Sequence, residues 1–159
     1  MTPLDTSIIT GWHAHVYFDA ASRDAAWAMR ETVQAELAGR VQIGRFHEKP
    51  VGPHPMWSFQ VAFDADAFAG VVGWLALNHG ALDVFIHPNT DDELRDHRDC
   101  AIWLGKSYAL NLAALAAAPR RADARLRAAS CEGRVRPGTT ESTYAPASGR
   151  RLATNGTAG

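Results

Sequence analysis

The hydrophobic pattern of the first 90 residues predicts four strands and two helices. Residues 12–18 alternate, with Ala14, Val16 and Phe18 on one face and polar or aromatic residues on the other. Elsewhere, apolar residues recur at helical spacing or form short runs rich in β-branched and aromatic side chains. The predicted strands are residues 12–18, 41–46, 56–63 and 82–87, and the predicted helices are residues 23–37 and 67–78.

The resulting order, β-α-β-β-α-β, is that of the ferredoxin-like α+β fold, with a four-stranded antiparallel sheet in the spatial order 4-1-3-2 and both helices on one face. The apolar face of the first strand must then lie beneath the helices, so His13, His15 and Tyr17 project from the other face. Because no helix covers that face, two copies packed face to face would form a dimeric α+β barrel, and we expect a homodimer. Residues 91–115 are predicted to be a mostly helical extension that ends in a C-terminal helix.

The charge distribution divides the chain near residue 119. Residues 1–118 carry 8 Lys and Arg against 14 Asp and Glu, whereas residues 119–159 carry 8 Arg against 3 Asp and Glu. We predict an N-terminal extension (1–10), one domain (11–118) and a disordered tail rich in Arg, Gly, Pro, Ser and Thr (119–159). The acidic domain argues against a nucleic-acid partner.

The sequence indicates neither a membrane segment nor a disulfide-rich protein. It contains no uncharged apolar run of about 18 residues and no recognisable leader peptide, so we expect a cytoplasmic protein with no membrane partner. Cys100 and Cys131 are too few for a disulfide framework.

Histidines are concentrated at the ends of the predicted strands. Antiparallel pairing places the end of the fourth strand beside the start of the first, so we predict that His87 lies next to His13 and His15. Neutral imidazole is the commonest metal ligand, and three imidazoles on two adjacent strands would form a site with open positions. This pattern favours a small metal- or oxygen-dependent enzyme over a binding module. Glu48 and Asp96 are the carboxylates that could complete the site or support its histidines.

Further candidate residues lie around these strands. His54, which stands between two prolines, and His97 are candidates for proton transfer, because imidazole titrates near neutral pH. Arg45 and Tyr17 are candidates for contacting the substrate, Arg45 through a substrate carboxylate.

Other residues of the same types are expected to have structural roles. A His-x-His pair can also mark a merely exposed polar face. We expect His47 and His79 to be structural, and Trp57, Trp74 and Trp103 to be core aromatic residues.

Three motifs, in order and at fitting spacings, resemble the DOPA 4,5-dioxygenase family. They are Trp12-His13-Ala14-His15-Val16-Tyr17-Phe18, then Gly52-Pro53-His54-Pro55, and then Ile86-His87-Pro88-Asn89-Thr90 continuing through Asp96-His97 and Ala101-Ile102-Trp103-Leu104-Gly105. The resemblance covers about residues 11–115. It implies a ferredoxin-like fold that is often dimeric, and extradiol cleavage of catechols such as DOPA with non-haem iron and O₂. It also implies that the functional histidines are His13, His15, His54, His87 and His97.

These observations give one leading hypothesis and two alternatives. In the leading hypothesis, His13, His15 and His87 hold Fe(II), or zinc or another divalent metal in a purified sample, and His54 and His97 move protons while a catechol reacts with O₂. The first alternative is a metal-free isomerase or decarboxylase of the dimeric α+β barrel type that uses a histidine as acid and base. The second is a non-catalytic protein that binds a small molecule. Metal content and O₂ consumption separate the three.

Overall fold

The structure, a computed structural model, describes residues 2–116. A single antiparallel sheet of five strands forms the centre of this region. The strands are β1 (Gly11–Phe18), β2 (Gln42–His47), β3 (Trp57–Phe63), β4 (Asp83–Asn89) and β5 (Ile102–Leu104). The helices are α1 (Arg23–Glu36), α2 (Phe68–Asn78), α3 (Glu93–Arg98) and α4 (Ala113–Ala116), and single 3₁₀ turns at Thr6–Ile8 and Ala65–Ala67 precede β1 and α2. The spatial order of the strands is β2-β3-β1-β4-β5.

The first four strands have the antiparallel order that the sequence predicts. β1 lies between β3 and β4, and β2 pairs with the far side of β3. The register of β1 and β4 places His13 opposite His87, and His15 opposite Phe85. Because directly opposed residues in an antiparallel pair project to the same side of the sheet, this register determines which side chains meet.

The predicted helical extension over residues 91–115 is wrong in its middle part. Residues 102–104 form β5, which pairs antiparallel with residues 84–86 of β4, so the sheet has five strands rather than four. The short run Ile-Trp-Leu has high strand propensity, and the open edge of β4 offers it backbone partners. Gly105 ends the strand with a φ of +83°, a conformation that glycine adopts without steric strain.

β4 also continues beyond Pro88, where the sequence predicts its end. Pro88 pairs with Trp12, and Asn89 pairs with Gly11. β5 pairs only with residues 84–86, so within the described chain Pro88 has a strand, β1, on one side only, and at such an open edge a residue without an N–H is tolerated.

The hydrophobic core lies between the two long helices and one face of the sheet. Apolar residues of β1, β3 and β4 point to this face and pack against α1 and α2. The core side chains are Ala14, Val16, Phe18, Ala26, Met29, Val33, Leu37, Phe59, Val61, Phe63, Val71, Leu75, Leu82, Val84 and Ile86. Each fully buried large side chain of this kind contributes about 1.5 to 3 kcal/mol of transfer free energy, so this face supplies most of the stability of the domain.

The opposite face of the sheet, which carries His15 and Tyr17 and is called the histidine face below, is covered by the chain itself. Tyr17 is only 2% exposed and Phe85 is fully buried. The segment after β5 folds back over this face, where the N–H of Asn111 donates to the Pro53 carbonyl (2.9 Å) and so ties two irregular segments together. The expectation of an uncovered face is therefore wrong for the part of this face over β1 and β4. The homodimer, which was inferred from that expectation, stays a prediction.

Two further predictions meet the limits of the described chain. No helix in residues 2–116 has the length and the apolar character needed to cross a bilayer. The predicted disordered tail, residues 119–159, lies outside the described residues.

Candidate active site

Strands β1 and β4 bring together the three histidines predicted to hold a metal. The rings of His13 and His87 have centroids 5.3 Å apart, and the ring of His15 lies 6.0 Å from that of His13 and 5.5 Å from that of His87. One nitrogen from each ring lies within 4.8 Å of the other two. Since a metal–nitrogen bond is about 2 Å long, this separation is close to what a shared ion requires.

Two of these rings present buried nitrogen atoms that have no hydrogen-bond partner in residues 2–116. The atoms are Nε2 of His15 and Nε2 of His87. Nδ1 of His87 lies 2.8 Å from the Pro88 carbonyl, which can only accept, so this nitrogen carries the proton and Nε2 carries the lone pair. Metal-bound histidines characteristically donate their other ring N–H to a carbonyl or carboxylate in this way. The arrangement therefore fits a bound metal ion better than a purely structural histidine, since burying an unpaired polar atom costs about 1 to 3 kcal/mol.

The surroundings keep these rings uncharged. Burial, followed by the neighbouring His97, lowers the pKa of His87 to about 2. Burial is also the main cause that holds the pKa of His15 well below its usual range, and His54 and His87 add to the effect. A histidine must be neutral to bind a metal ion, so His15 and His87 are in the ligating protonation state at neutral pH.

His54 approaches this group from the Pro-rich segment between β2 and β3. Its N–H donates to the Val51 carbonyl (3.2 Å), which closes a turn in which Gly52 has a φ of +60°. The ring lies 3.9 Å from that of His15, and its Nδ1 forms a 2.8 Å hydrogen bond with the hydroxyl of Tyr17. Burial lowers the pKa of His54 to about 4. The hydroxyl of Tyr17, a residue predicted to contact the substrate, is therefore hydrogen-bonded to His54.

His97 approaches from the other side, on α3. Its ring centroid lies 3.9 Å from that of His87, and its Nδ1 donates to the carbonyl of Glu93 (2.8 Å), which leaves the lone pair on Nε2. The preceding Asp96 is buried and accepts two 2.7 Å hydrogen bonds from Thr90, one from its N–H and one from its hydroxyl. These bonds attach α3 to the end of β4 and thereby set the position of His97 relative to His87. The five residues His13, His15, His54, His87 and His97 are called the histidine cluster below.

Two of the predicted residues lie apart from the cluster. Arg45 is exposed on β2, and β3 lies between that strand and β1. Glu48 forms an ion pair with Arg23 of α1. Of the two candidate carboxylates, only Asp96 lies beside the cluster, and its hydrogen bonds are those to Thr90.

Aromatic residues that sequence reasoning did not assign to the site extend the histidine face beyond the cluster. Trp103, expected in the core, instead packs on this face, with its ring 4.8 Å from Phe85 and 5.8 Å from Tyr17. The expectation was wrong because it placed Trp103 in a helix. As part of β5, directly opposite Phe85, Trp103 must project to the same side as Phe85. The ring of Tyr108 lies beside them, 5.7 Å from Tyr17 and 6.0 Å from Trp103. The rings of Phe85, Trp103 and Tyr108 are called the aromatic wall below.

Asp83 holds Tyr108 in place. Its carboxylate accepts a 2.6 Å hydrogen bond from the Tyr108 hydroxyl and a 2.7 Å hydrogen bond from the N–H of Lys106. The positive φ of Gly105 lets the chain turn closely around this carboxylate, since a Cβ at Gly105 would overlap it. No short sequence motif indicates this contact, because it joins residues that are 25 positions apart.

Comparison with known proteins identifies the family. The sequence profile of the Dopa 4,5-dioxygenase family matches residues 12–114, a range that contains all five histidines of the cluster. The chain belongs to the Dopa 4,5-dioxygenase family. This confirms the resemblance inferred from the three motifs. The matched region includes all five strands of the sheet except Gly11, the first residue of β1.

Relatives of this dioxygenase family member cover most of the described chain. A DOPA 4,5-dioxygenase of Amanita muscaria is 39% identical over 121 residues, which are 72% of this chain and 53% of that protein. An uncharacterized 21.2 kDa protein of Botryotinia fuckeliana is 36% identical over 121 residues, which are 69% of this chain and 66% of that protein. The chain thus spans about half to two thirds of the length of these relatives.

A solved structure supports the same assignment. The crystal structure of a provisionally assigned dioxygenase from Nostoc punctiforme is 49% identical in sequence and has a TM-score of 0.67. The match covers 72% of this chain and 97% of that chain.

Proposed function

We propose that this protein is an extradiol ring-cleaving dioxygenase that acts on a catechol such as DOPA with non-haem Fe(II) and O₂. The observation that carries the proposal is the convergence of His13, His15 and His87, whose nitrogens lie within 4.8 Å of one another. Membership of the Dopa 4,5-dioxygenase family supports the same reaction.

The residues present fit a divalent metal. His13, His15 and His87 would hold it, and the buried Nε2 atoms of His15 and His87 would gain the partner that residues 2–116 do not provide. When bound, Fe(II) would supply Lewis acidity and open positions at which a catechol and O₂ can react. An all-nitrogen donor set also suits zinc, so a purified sample can carry zinc instead.

The proton transfers fall to His54 and His97. Since Nδ1 of His54 is engaged with Tyr17, its Nε2 is the atom that would take a proton from a catechol hydroxyl. The hydroxyl of Tyr17 would then orient the ring of His54, and it stays protonated because burial raises its pKa. Because Nδ1 of His97 donates to the Glu93 carbonyl, Nε2 carries the lone pair. It would take the proton of the second catechol hydroxyl and later return it to the ring-opened product.

The aromatic wall of the histidine face would shield the reaction from water. Phe85, Trp103 and Tyr108 line the side of the site away from His13, and their rings are within 6.0 Å of a neighbour in the wall. Excluding water strengthens each polar interaction within the site and protects reactive species from hydrolysis.

We also propose that the protein is a homodimer. The second copy would pack on the half of the histidine face that lies over β2 and β3. Gln60 and Ala62 on β3 are only half-buried there, whereas Tyr17 and Phe85 are buried by the chain's own segments. A second copy would cover that half. Light scattering on the purified protein measures the mass of the assembly and so tests for the dimer directly.

The reaction is tested by loading the protein with Fe(II) without air and then adding aerated DOPA. We expect O₂ consumption together with a yellow ring-opened semialdehyde. His15→Ala and His87→Ala should each lose bound iron and activity, whereas His54→Ala should keep iron and react slowly. His47→Ala, a histidine of β2 outside the cluster, is the matched control and should keep both.

Two results would point to the alternatives. If iron-loaded protein leaves a broad panel of catechols unchanged, the dioxygenase proposal fails and a metal-free acid–base enzyme becomes the better interpretation. If His15→Ala and His87→Ala bind iron as well as the wild type does, the assignment of the metal site fails.

A further inference from the structure

A cavity of about 460 Å³ opens at the end of the sheet where β1 starts and β3 ends. Its walls include Trp12 and His13 from β1 and Gln42 from β2, together with Arg40 and Asp64 from the adjoining loops. Pockets of about 300 to 1,000 Å³ are typical for small-molecule ligands. The cavity is thus large enough for a substituted catechol.

His13 connects this cavity to the candidate metal site. Of the three residues that would hold the metal, His15 is 7% exposed and His87 is 1% exposed, whereas His13 is half-buried. A molecule coming from solvent along the cavity would therefore meet the site at His13. A catechol bound with its ring at the site would extend its substituent into the cavity.

The cavity carries two opposite charges that are not paired with each other. Arg40 and Asp64 both line it, yet neither side chain forms a hydrogen bond or an ion pair within residues 2–116. A guanidinium binds a carboxylate through two parallel hydrogen bonds, and a carboxylate attracts an ammonium group. The two charges match the two ends of a zwitterionic side chain.

Helix α2 contacts the side chain of Arg40. The guanidinium lies against the backbone of Gly70, and a Cβ at that position would overlap it. Glycine is usually less favourable than alanine inside a helix. Here the absence of a side chain makes room for Arg40.

We propose that this cavity is the specificity site for the ionised substituent of the substrate, in which Arg40 binds a carboxylate and Asp64 binds an ammonium group. The inference rests on the proposed function, because it places the catechol ring at the histidine cluster. It assigns the carboxylate to Arg40 rather than to Arg45, which is exposed on β2 and does not line the cavity.

The test compares equilibrium binding of four catechols to the full chain loaded with Fe(II), measured by calorimetry without O₂ so that nothing turns over. The ligands are DOPA, which carries both charges, dihydroxyphenylpropionate with only the carboxylate, dopamine with only the ammonium, and methylcatechol with neither. We expect Arg40→Gln to raise Kd about tenfold for the two carboxylates and to leave dopamine and methylcatechol unchanged. We expect Asp64→Asn to raise Kd about threefold for DOPA and dopamine only, because a solvated single-point contact is weaker.

Two further variants separate this role from a general effect of charge. Arg45→Gln removes the same charge from a position outside the cavity and should change none of the four values of Kd. Gly70→Ala should displace the Arg40 guanidinium and reproduce part of the selective loss for the two carboxylates, without weakening binding of methylcatechol.

Each outcome bears on the proposal. Equal weakening of all four ligands by Arg40→Gln, the same selective loss from Arg45→Gln, or wild-type protein that binds DOPA no more tightly than methylcatechol would overturn it. If the selective pattern appears but aerated catechols are not cleaved, the specificity site stands and the dioxygenase proposal fails. If catechols are cleaved without the pattern, the dioxygenase proposal stands and the specificity site fails.

Discussion

The two faces of this sheet share the same strands but bury different kinds of side chain. On one face, alternate residues of β1 such as Ala14 and Val16 are fully buried against α1 and α2. On the other face, the intervening His15 and Tyr17 are almost as deeply buried, but among polar and aromatic groups under irregular segments. The comparison shows that depth of burial alone does not identify the residues that stabilise the fold.

The difference lies in what burial does to each side chain. An apolar side chain gains transfer free energy when it leaves water. A buried imidazole loses hydration, and two of the ring nitrogens here have no protein partner in residues 2–116 to replace it. The helix-covered face therefore supplies the free energy that keeps the histidine face folded, with its ring nitrogens buried and without a protein partner in residues 2–116.

Acidification should break the histidine face first, and this is the largest effect we expect. The pKa values of His54 and His87 in the folded protein, about 4 and about 2, lie below the ordinary value of 6.5 that applies to the unfolded chain. Above about pH 6.5 both states are neutral and these groups have no effect. Below it, the unfolded chain takes up protons that the folded chain does not, so the metal-free protein should lose about 2 kcal/mol for each of these two histidines by pH 5, about 4 kcal/mol for the pair. His15, whose pKa burial also holds well below its usual range, adds a loss of the same sign.

Denaturant titrations of metal-free protein at pH 7, 6 and 5 measure this loss. Ordinary carboxylates titrate mainly below this window, so the histidines dominate the slope. His54→Gln should lower the loss at pH 5 by about 2 kcal/mol relative to the wild type. A free energy of unfolding that is flat between pH 7 and pH 5 would contradict the assignment of neutral, buried histidines.

Truncating one side chain on each face should separate stability from metal binding. Phe59→Ala removes a fully buried core ring and should lower the free energy of unfolding by about 3 to 4 kcal/mol. His15→Ala should change the stability of the metal-free protein by less than about 1 kcal/mol, because the loss of packing is offset by removal of an unpaired buried nitrogen. Denaturation at pH 7 gives both values. An equal loss in the two variants would show that the histidine face stabilises the fold as much as the core does.

The same difference explains what could be predicted from the sequence. The alternation of Ala14, Val16 and Phe18 predicted the helix-covered face, because period and burial follow from one another there, and the β-α-β-β-α-β order of the elements predicted the strand order. The meeting of His13 with His87 followed from that strand order. The covering of the histidine face could not be predicted, since residues 99–112 contain no long periodic segment and are positioned by side chains of distant elements.

Asp83 illustrates the information that the sequence did not reveal. It begins β4, and nothing in its immediate neighbours indicates that its carboxylate accepts hydrogen bonds from Lys106 and Tyr108. Trp103 was assigned to the core for the same reason, because its environment depends on a strand pairing that its own segment hardly encodes. Local pattern predicts regular elements, whereas the site is completed by long-range polar contacts.

The smallest effect we expect comes from loosening this cover without disturbing either face. Tyr108→Phe removes the hydroxyl that donates to Asp83 and keeps the ring that packs near Tyr17 and Trp103. Because the contact is half-buried, the loss of global stability should be at most about 1 kcal/mol. The clearer consequence is local, because the segment after β5 would lose one of the two bonds that attach it to Asp83, and its amides should exchange with solvent faster while those of β1 do not. Hydrogen exchange measured by mass spectrometry on peptides from both segments tests this, with Ser107→Ala, which changes an exposed neighbour, as the matched control. Faster exchange in both segments would mean that the cover and the sheet unfold as one unit. Unchanged exchange in both would mean that the remaining contacts, among them those of Lys106 with Asp83 and Asn111 with Pro53, are enough to hold the cover in place.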